Sequence, residues 1–365
     1  MPVLLNVKYP GPERRSGLSW PRVPAPLRRK SSHDCLHIGL INNISDAAMG
    51  ATEQQFLSLL EAAAGEMSIH VTLYSLPEVE RQSTGKRRVG SFYWNIEQLW
   101  NQPPEDYPDG LIVTGREPLA ASLKEESYWP GLRRVLDWTQ EFERSTVWSC
   151  LAAHAAVLAL DGIERVRSPH KHFGILACQQ DDPHFLLANV PATHQVPHSR
   201  WNGLSRDQLI KHGYQILTHT ADGGVDTFIK QDSGLFVFFQ GHPEYESKTL
   251  LGEYRRDVLR FLKGEMQSYP RLPQNYFDID TERRLSEIEN TAQASRDDAC
   301  VAELSAILTT INIHNSWRDG AAIIYRNWLE HLLAKKHVGC AGRPRVRSHN
   351  RQKVFEAESH QVNGM

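Results

Sequence analysis

The sequence is poor in cysteine and in net charge, and each shortage excludes a class of protein. Its 365 residues include five cysteines, an odd number with no C-x-x-C spacing, which argues against a disulfide scaffold and a zinc cluster. We therefore expect a reducing compartment and no metal. The formal net charge of -2 provides no general attraction for nucleic acid or for an anionic membrane.

Long apolar runs are also missing. No stretch approaches the roughly 20 apolar residues of a membrane-spanning helix, and the opening MPVLLNVKYPGPERR has too short an apolar run for a signal peptide. We expect a cytoplasmic protein that binds charged ligands locally. With 40% apolar residues, the chain can bury a complete core.

Composition divides the chain into three parts. Residues 1–34 are rich in proline and arginine and predict an extended arm, because proline fixes φ and lacks the N–H that a helix or ladder uses. Residues 35–336 carry the periodic pattern of one α/β domain, with a charged insertion over residues 280–312. Residues 337–365 are polar and predict a disordered tail.

The fold class follows from alternating strand and helix patterns. The apolar runs CLHIGLI, IHVTLYSL, DGLIVTG and STVWSC are separated by helical stretches such as YWPGLRRVLDWTQEF. This alternation predicts a mostly parallel sheet that is flanked by helices on both sides. The second half is richer in strand patterns, among them FLLANV, VDTFIKQ and GLFVFFQ, and predicts antiparallel additions.

Cys150 lies in WSCLAAH, where an apolar strand joins an apolar helix. In open α/β sheets such a join lifts a nucleophile clear of the core, and the amides that begin the helix stabilise a thiolate. A lone cysteine in an apolar run is more often a packed small hydrophobe. The position therefore needs partner residues before it indicates catalysis.

The strand LFVFFQ supplies such partners, because it stops at Gly241 and presents His242 and Glu244. Two residues apart, they point the same way if the extended conformation persists. A thiolate needs a base, and the base needs an orienting group, so Cys150, His242 and Glu244 are the parts of a triad. Singly, the last two are an ordinary turn histidine and a helix-start carboxylate.

This order of motifs resembles the class I glutamine amidotransferases, in which a strand-end cysteine is followed by H-P-E. More specifically, the chain is similar to the homoserine O-succinyltransferase family over residues 36–336. The segments that carry the resemblance are DGLIVTG, YWPGLRRVLDWTQEFERSTVWSCLAAHAAV, VPHSRW, GHPEYESKTLLGEYRRDV and WRDGAAIIYRNWLEHLL. It implies a class I amidotransferase-like, flavodoxin-like fold and acyl transfer in methionine biosynthesis.

The resemblance also implies roles for individual residues. Cys150 is the acyl-accepting nucleophile, His242 the general base and Glu244 its orienting group. Three further positions contact substrate: Lys171, Ser199 and Arg256. An arginine that grips a carboxylate with two hydrogen bonds, and a lysine that meets it as a point charge, suit an amino-acid acceptor.

The chain departs from the family pattern near the nucleophile. By an ungapped count from Trp129, Leu119 occupies the position that selects the acyl donor, where the family usually has Gly for succinyl or Glu for acetyl. Without an acid there, and with Arg116 nearby, we expect succinyl rather than acetyl transfer. Leu151 follows the nucleophile and still offers a backbone N–H to an oxyanion. The loop INNISDAAMG lacks the lysine pair that is common in the family.

The expected reaction is ping-pong transfer of an acyl group from succinyl-CoA or acetyl-CoA to homoserine through a cysteine thioester. Coenzyme A enters as co-substrate, with no bound cofactor and no metal. Three alternatives stay open: serine as acceptor, glutamine amidotransferase or hydrolase chemistry, and a catalytically silent binding protein. The expected partners are these small molecules, with neither nucleic acid nor a membrane among them. We also expect a homodimer, in which the arm and the aromatic C-terminal helix cover the dimer surface.

Overall fold

A computed structural model describes residues 2–7, 22–24, 35–296 and 298–341. The strands in these ranges are β1 (Val3–Val7), β2 (Arg22–Pro24), β3 (Cys35–Ile41), β4 (Ser68–Ser75), β5 (Trp94–Asn95), β6 (Gly110–Thr114), β7 (Ser145–Ser149), β8 (Val166–Gln180), β9 (Thr193–Gly203), β10 (Gln215–Ile216), β11 (Thr218–Thr220), β12 (Thr227–Gln231) and β13 (Leu235–Phe239). The helices are α1 (Met49–Ala64), α2 (Ser83–Phe92), α3 (Ile96–Asn101), α4 (Trp129–Glu141), α5 (Leu151–Asp161), α6 (Arg206–Lys211), α7 (Thr249–Leu262), α8 (Ile279–Ser295), α9 (Asp298–Thr310) and α10 (Arg318–Ala341).

The central sheet has the strand order β10-β12-β13-β7-β6-β3-β4-β1-β2, with β5 beside β4. Its pairs from β2 across to β13 are parallel, whereas β12 and β10 join antiparallel at the other edge. The predicted mostly parallel sheet with antiparallel additions is confirmed. The hairpin β12–β13 folds back because Asp232 and Gly234 make a short turn, with the Asp232 N–H donating to the Gly234 carbonyl.

Helices cover both faces of this sheet, as the sequence predicts. Neighbouring residues of a buried strand point to opposite faces. Thus Ile112 of β6 packs with α1 and α10, while Leu111 and Val113 pack with α4 and α5. Such strands are apolar on both sides, which is why they appear as continuous apolar runs in the sequence.

A second, three-stranded antiparallel sheet, β11-β8-β9, lies outside the central sheet. A third apolar cluster joins Phe173 and Ile175 of β8 to α7, α8 and α9. The helices α8 and α9 thus account for most of the charged stretch 280–312, and Leu285 and Leu304 are fully buried in this cluster. Its charges occupy the outer faces of two packed helices.

The predicted strand in FLLANV is wrong. Phe185–Leu187 forms a 3-10 helix. Leu186 and Leu187 are buried in the cluster that contains α10, so this apolar run gains its burial from helix packing and not from strand pairing. Asn189 has a φ of 64°, which turns the chain out of the extended conformation.

The terminal segments differ from the expected arm and tail. Val3–Val7, assigned to the arm, pairs with β4 in the central sheet, and Val3 and Leu5 are fully buried. At the other end α10 continues through Ala341, past the expected boundary at residue 336. Most of the proline- and arginine-rich part of 1–34, and residues 342–365 of the predicted tail, lie outside the described residues.

The aromatic side chains of α10 are buried within the same chain. Trp328 donates its indole N–H to Ser145 Oγ at 2.9 Å, and Tyr325 stacks on Phe239. They therefore pack against β7 and β13. None of the helices in the described part of the chain combines the length and the apolar character that crossing a membrane requires.

We expect Gly174→Ala to destabilise the fold by roughly 3 kcal/mol. The added Cβ would both strain a residue with positive φ and collide with the backbone of Gln274. Gly174 has a φ of 137°, and a Cβ there would lie 2.3 Å from the backbone N and O of Gln274. Gly162→Ala is the matched control: its φ is 70°, but the space around it is open, so a loss of about 1 kcal/mol is expected. Urea unfolding measures both; equal losses would contradict the close contact of β8 with residue 274.

Candidate active site

Two neighbouring strands deliver the site. β7 and β13 run parallel, with Ser149 opposite Phe239, so the chain leaves both strands at the same edge of the sheet. Cys150 follows β7, and its N–H donates to the Phe239 carbonyl at 2.7 Å. Its φ of 51° and ψ of -112° are strained for a residue with a side chain. Strain of this kind is typical of a nucleophile held on a sharp strand-to-helix turn.

His242 and Glu244 follow β13, as predicted. His242 Nδ1 lies 2.8 Å from Glu244 Oε1, and Cys150 lies close enough to the imidazole for its charge to raise the pKa of His242. Glu244 is 3% exposed and also accepts a hydrogen bond of 3.4 Å from Ser149 Oγ. The ring of Tyr245 stacks on the imidazole at 4.1 Å between centroids. The structure thus brings together the three residues that the sequence predicts as a triad.

The charge state of His242 follows from these neighbours. Burial opposes protonation of the imidazole, but the charges of Cys150 and Glu244 and the hydrogen bonds to both raise the pKa of His242 well above its usual value. An imidazolium at neutral pH then faces the sulfur of Cys150. A cation beside a cysteine sulfur is the arrangement by which enzymes commonly activate this nucleophile.

The backbone at the start of α5 is placed to stabilise an oxyanion. The first amides of a helix, here those of Leu151 and Ala152, have no acceptor within the helix. Gly115 follows β6 and packs closely on this turn, since a Cβ there would lie 2.6 Å from Leu151 Cβ and 2.7 Å from the Ala152 N. Only glycine permits this approach.

Two of the predicted substrate-binding residues gather beside the triad. Ser199 Oγ donates a short hydrogen bond to Glu253. Lys171 Nζ lies 3.9 Å from the same carboxylate. Tyr245, whose ring covers His242, donates its hydroxyl hydrogen to Glu253 Oε1 at 2.6 Å. Glu253 therefore connects the polar residues of this group to the triad.

Arg256 lies at the outer edge of the same group. It pairs with Asp257 at 2.9 Å and its side chain is 48% exposed, while Lys171 Nζ lies 3.2 Å from the other oxygen of Asp257. Burial lowers the pKa of the Arg256 guanidinium, but the charges of Asp257, Glu253 and Glu117 raise it above its usual value. Two cations and two carboxylates thus form a site that suits a zwitterionic ligand.

Sequence reasoning missed Tyr245, Glu253 and Asp257. A signal for each was present in the printed sequence. Glu253 and Asp257 are four residues apart on the helix that carries Arg256, a spacing that places them on one face. Tyr245 follows directly after the H-P-E motif.

Leu119 lies on an exposed loop after β6. Its side chain is 77% exposed. The loop is fixed by Glu126 Oε1, which accepts the N–H groups of Leu119 at 2.6 Å and Ala120 at 2.7 Å. An open cavity of 270 Å³ beside it is lined by Glu80, Arg116, Leu119, Ala120, Glu125, Glu126 and Ser127. The structure therefore places Leu119 at this cavity.

Metal-ligating side chains approach one another at two places in the described ranges. Cys35, His37 and His70 lie within 4.8 Å of one another at the amino end of β3, at the opposite edge from Cys150. The second group is Cys178, His198 and Asp226. The Asp226 carboxylate already accepts hydrogen bonds from two threonine hydroxyls and a backbone N–H, so its oxygens are occupied.

Comparisons with known proteins identify relatives of the whole domain. A family model described as "HTS: Homoserine O-succinyltransferase" matches residues 26–338. A homoserine O-succinyltransferase of Rhodopseudomonas palustris is 44% identical over 84% of this chain and 91% of that protein. One of Bradyrhizobium japonicum is 42% identical over 81% of this chain and 90% of that protein. A solved glutamine amidotransferase structure from Methylobacillus flagellatus aligns with a TM-score of 0.46 and 14% identity, covering 87% of this chain and 99% of that one.

We expect iodoacetamide to modify Cys150 in preference to Cys35, Cys178 and Cys300, which are buried, and to do so even at pH 6. The raised pKa of His242 keeps a positive charge beside the sulfur of Cys150 at this pH. In His242→Gln the alkylation rate at pH 6 should fall roughly 10- to 100-fold, because an unpaired thiol is mostly protonated there.

Peptide mapping by mass spectrometry measures this rate. His212→Gln, directly after the C-terminal end of α6, is the matched control and should leave the rate unchanged. Fast alkylation of Cys150 at pH 6 in His242→Gln would contradict the proposed ion pair.

Proposed function

Because the chain belongs to the homoserine O-succinyltransferase family and is an acyltransferase, we propose that it transfers a succinyl group from coenzyme A to the hydroxyl group of homoserine. The observation that carries the proposal is the grouping of Cys150, His242 and Glu244 at the strand ends, where Glu244 is hydrogen-bonded to the imidazole and the charge of Cys150 raises the pKa of His242. The reaction would serve methionine biosynthesis in the cytoplasm, with residues 35–336 as the catalytic unit.

In the first half-reaction the Cys150 thiolate attacks the thioester carbonyl of succinyl-CoA. The negative charge moves to the carbonyl oxygen, where the Leu151 amide and the start of α5 donate hydrogen bonds, a contribution of roughly 100- to 1000-fold per donor in comparable sites. The C–S bond to coenzyme A then breaks, and the departing thiolate takes the proton from His242. A succinyl thioester on Cys150 and a neutral imidazole remain.

In the second half-reaction His242 acts as a base. It removes the proton from the homoserine hydroxyl as the oxygen attacks the acyl carbon. The tetrahedral intermediate collapses by breaking the C–S bond, which restores the Cys150 thiolate and the imidazolium. Glu244 holds the Nδ1–H and stabilises the charge that returns to the ring. No net proton is consumed.

The group around Glu253 suits the amino-acid acceptor. Arg256 is exposed on one side and is placed to bind the acceptor carboxylate, with Lys171 as a second cation. Glu253 offers a carboxylate to the α-ammonium group, and its bond to Tyr245 keeps it beside His242. The acceptor hydroxyl would then approach the catalytic imidazole. Serine, one carbon shorter, would reach less far from the same anchors.

For the acyl donor we propose succinyl rather than acetyl. The relatives carry the name succinyltransferase, and the selector position holds an exposed leucine in place of an acid. Arg116 lines the neighbouring cavity and supplies a positive charge for the distal carboxylate of succinate. Acetyl-CoA lacks that carboxylate and gains nothing from the arginine.

We expect a succinyl adduct on Cys150 when the purified protein is mixed with succinyl-CoA without an acceptor. Mass spectrometry of the Cys150 peptide detects it, and homoserine should discharge it as O-succinylhomoserine. Cys150→Ala should give no adduct and no turnover, and His242→Ala should lower turnover by more than roughly a thousandfold. A catalytically silent protein would give no adduct, and an amidotransferase would instead release ammonia from glutamine.

We expect Arg256→Ala to raise the KM for homoserine roughly 10- to 100-fold with a small change in kcat, since it removes binding to a carboxylate that does not react. Arg255→Ala is the matched control, because Arg255 is an exposed neighbour on the same helix. Steady-state kinetics at saturating succinyl-CoA measure both. An unchanged homoserine KM in Arg256→Ala would remove this residue from the acceptor site.

A further inference from the structure

Strand β9 carries two different functions on its two sides. Ser199 contacts Glu253 on one side, where the acceptor site lies. Its neighbours His198 and Arg200 point the other way, and they are 0% and 6% exposed. The mechanism above uses neither of them. Polar side chains so deeply buried require partners, since an unsatisfied buried group costs roughly 1–3 kcal/mol.

Those partners form a chain from Arg200 to Asp226. The Arg200 Nε–H donates to His198 Nδ1 at 3.2 Å, which fixes Nδ1 as the unprotonated nitrogen of that ring. The protonated Nε2 then faces Asp226 Oδ1 at 3.2 Å. Burial lowers the pKa of His198 and outweighs the opposing effect of Asp226. A neutral imidazole therefore bridges a buried cation and a buried anion.

Asp226 transmits this arrangement to the backbone. Its Oδ2 accepts the hydroxyl hydrogens of Thr218 at 2.9 Å and Thr227 at 2.8 Å. Its Oδ1 accepts the N–H of Gly241 at 3.2 Å, and its own carbonyl accepts the N–H of Gln240 at 2.9 Å. Both backbone bonds lie in the segment that leads into the catalytic His242.

The same segment is closely enclosed. A Cβ at Gly241 would lie 2.8 Å from Asp226 Oδ1 and 2.9 Å from His198 Nε2, so the glycine rests directly on the His198–Asp226 pair. The N–H of His242 donates to the Pro197 carbonyl at 2.8 Å, one residue before His198 in β9. The position of the His242 backbone is thus set by β9 and Asp226.

We propose that Asp226 and His198 are positioning residues, which hold the Gly241–His242 backbone so that the imidazole meets the sulfur of Cys150. The proposal rests on the proposed function for its catalytic consequence, but not for the geometry. The residues act through His242 and touch no substrate. The carboxylate is needed as an acceptor for the Gly241 N–H, and His198 keeps it in place by occupying the same oxygen.

Several charged groups surround this pair and enter any test. On the catalytic side, burial lowers the pKa of Arg200, and the charge of Cys150 partly offsets this effect. The Arg200 guanidinium is therefore within electrostatic reach of the Cys150 sulfur. The other ionisable groups that face the network are His154, His172, Cys178, His194, Asp222 and His242.

The experiment compares Asp226→Ala with Asp226→Asn in the full-length protein. Alanine removes the acceptor of the Gly241 N–H, whereas asparagine keeps an oxygen there. We expect kcat to fall roughly 100-fold in Asp226→Ala with homoserine KM within about threefold, and to recover to within about tenfold of wild type in Asp226→Asn. Asp161→Asn is the matched control for loss of a carboxylate, because Asp161 binds Lys230 and Tyr214 at a distance from the triad.

Alkylation of Cys150 by iodoacetamide at pH 6 gives a second measurement that needs no substrate. Removing a negative charge would by itself favour the thiolate and speed alkylation, whereas displacement of His242 slows it. We expect roughly tenfold slower alkylation in Asp226→Ala. If that variant fails to fold in urea titration, Thr218→Val, which deletes one hydroxyl donor to Asp226, replaces it, with Thr218→Ser as its conservative partner. A smaller change in the same direction is expected.

Each outcome decides the question. A folded Asp226→Ala, or Thr218→Val in its place, with wild-type kcat and alkylation overturns the proposal, and so does faster alkylation. An equal loss in Asp226→Asn and Asp226→Ala would assign the effect to charge and overturn positioning through the backbone. If wild type transfers no succinyl group but Asp226→Ala still slows alkylation, the proposed function fails while the positioning role stands.

Discussion

The register between β7 and β13 is the constraint on which the candidate site depends. Ser149 lies opposite Phe239, and the next residue, Cys150, is bonded through its N–H to the Phe239 carbonyl. The nucleophile and the catalytic base are 92 positions apart in the numbering but leave adjacent parallel strands at one edge. A shift of one residue in this pairing would reverse the side to which every side chain of one strand points. The apolar layers on both faces of the sheet oppose such a shift, because it would exchange the buried sets of α1 and α10 with those of α4 and α5.

Two unfavourable features are held at this edge. The first is the positive φ of Cys150, which costs roughly 1–3 kcal/mol in an ordinary context. The second is the buried imidazolium of His242. The surroundings offset both. The Phe239 carbonyl fixes the backbone of Cys150, and Glu244 supplies a carboxylate with Ser149 as its donor. The pKa of His242 is raised in spite of burial because two negative groups lie within reach. The strain and the buried charge persist because the packed sheet determines the positions of all the partners.

β9 relates substrate binding to the catalytic base. One side of the strand presents Ser199 to Glu253, and Tyr245 joins that carboxylate to the ring of His242. The other side presents His198 to Asp226, which binds the backbone in front of His242. The strand β9 thus contacts His242 indirectly in two ways: Glu253 and Tyr245 connect it to the ring, and Asp226 connects it to the backbone. A displacement of β9 would alter the contacts of the proposed acceptor site and of His242 together.

The sequence by itself predicted the central strands of the parallel sheet and the three residues that the structure groups at the strand ends. Buried strands appear as unbroken apolar runs, and a strand-end cysteine with a later H-P-E leaves few other chemical interpretations. The motifs also predicted membership of the homoserine O-succinyltransferase family, and the family match confirms this prediction. It did not reveal that Val3–Val7 joins the sheet or that FLLANV packs as a helical turn, because a short apolar run is buried equally well by a strand partner or by a helix. Only the tertiary structure decided that Leu119 lies on an exposed loop, and that Tyr245, Glu253, His198 and Asp226 lie around His242. These residues come from separate elements, and their contacts depend on long-range strand order, which no local pattern of residues encodes.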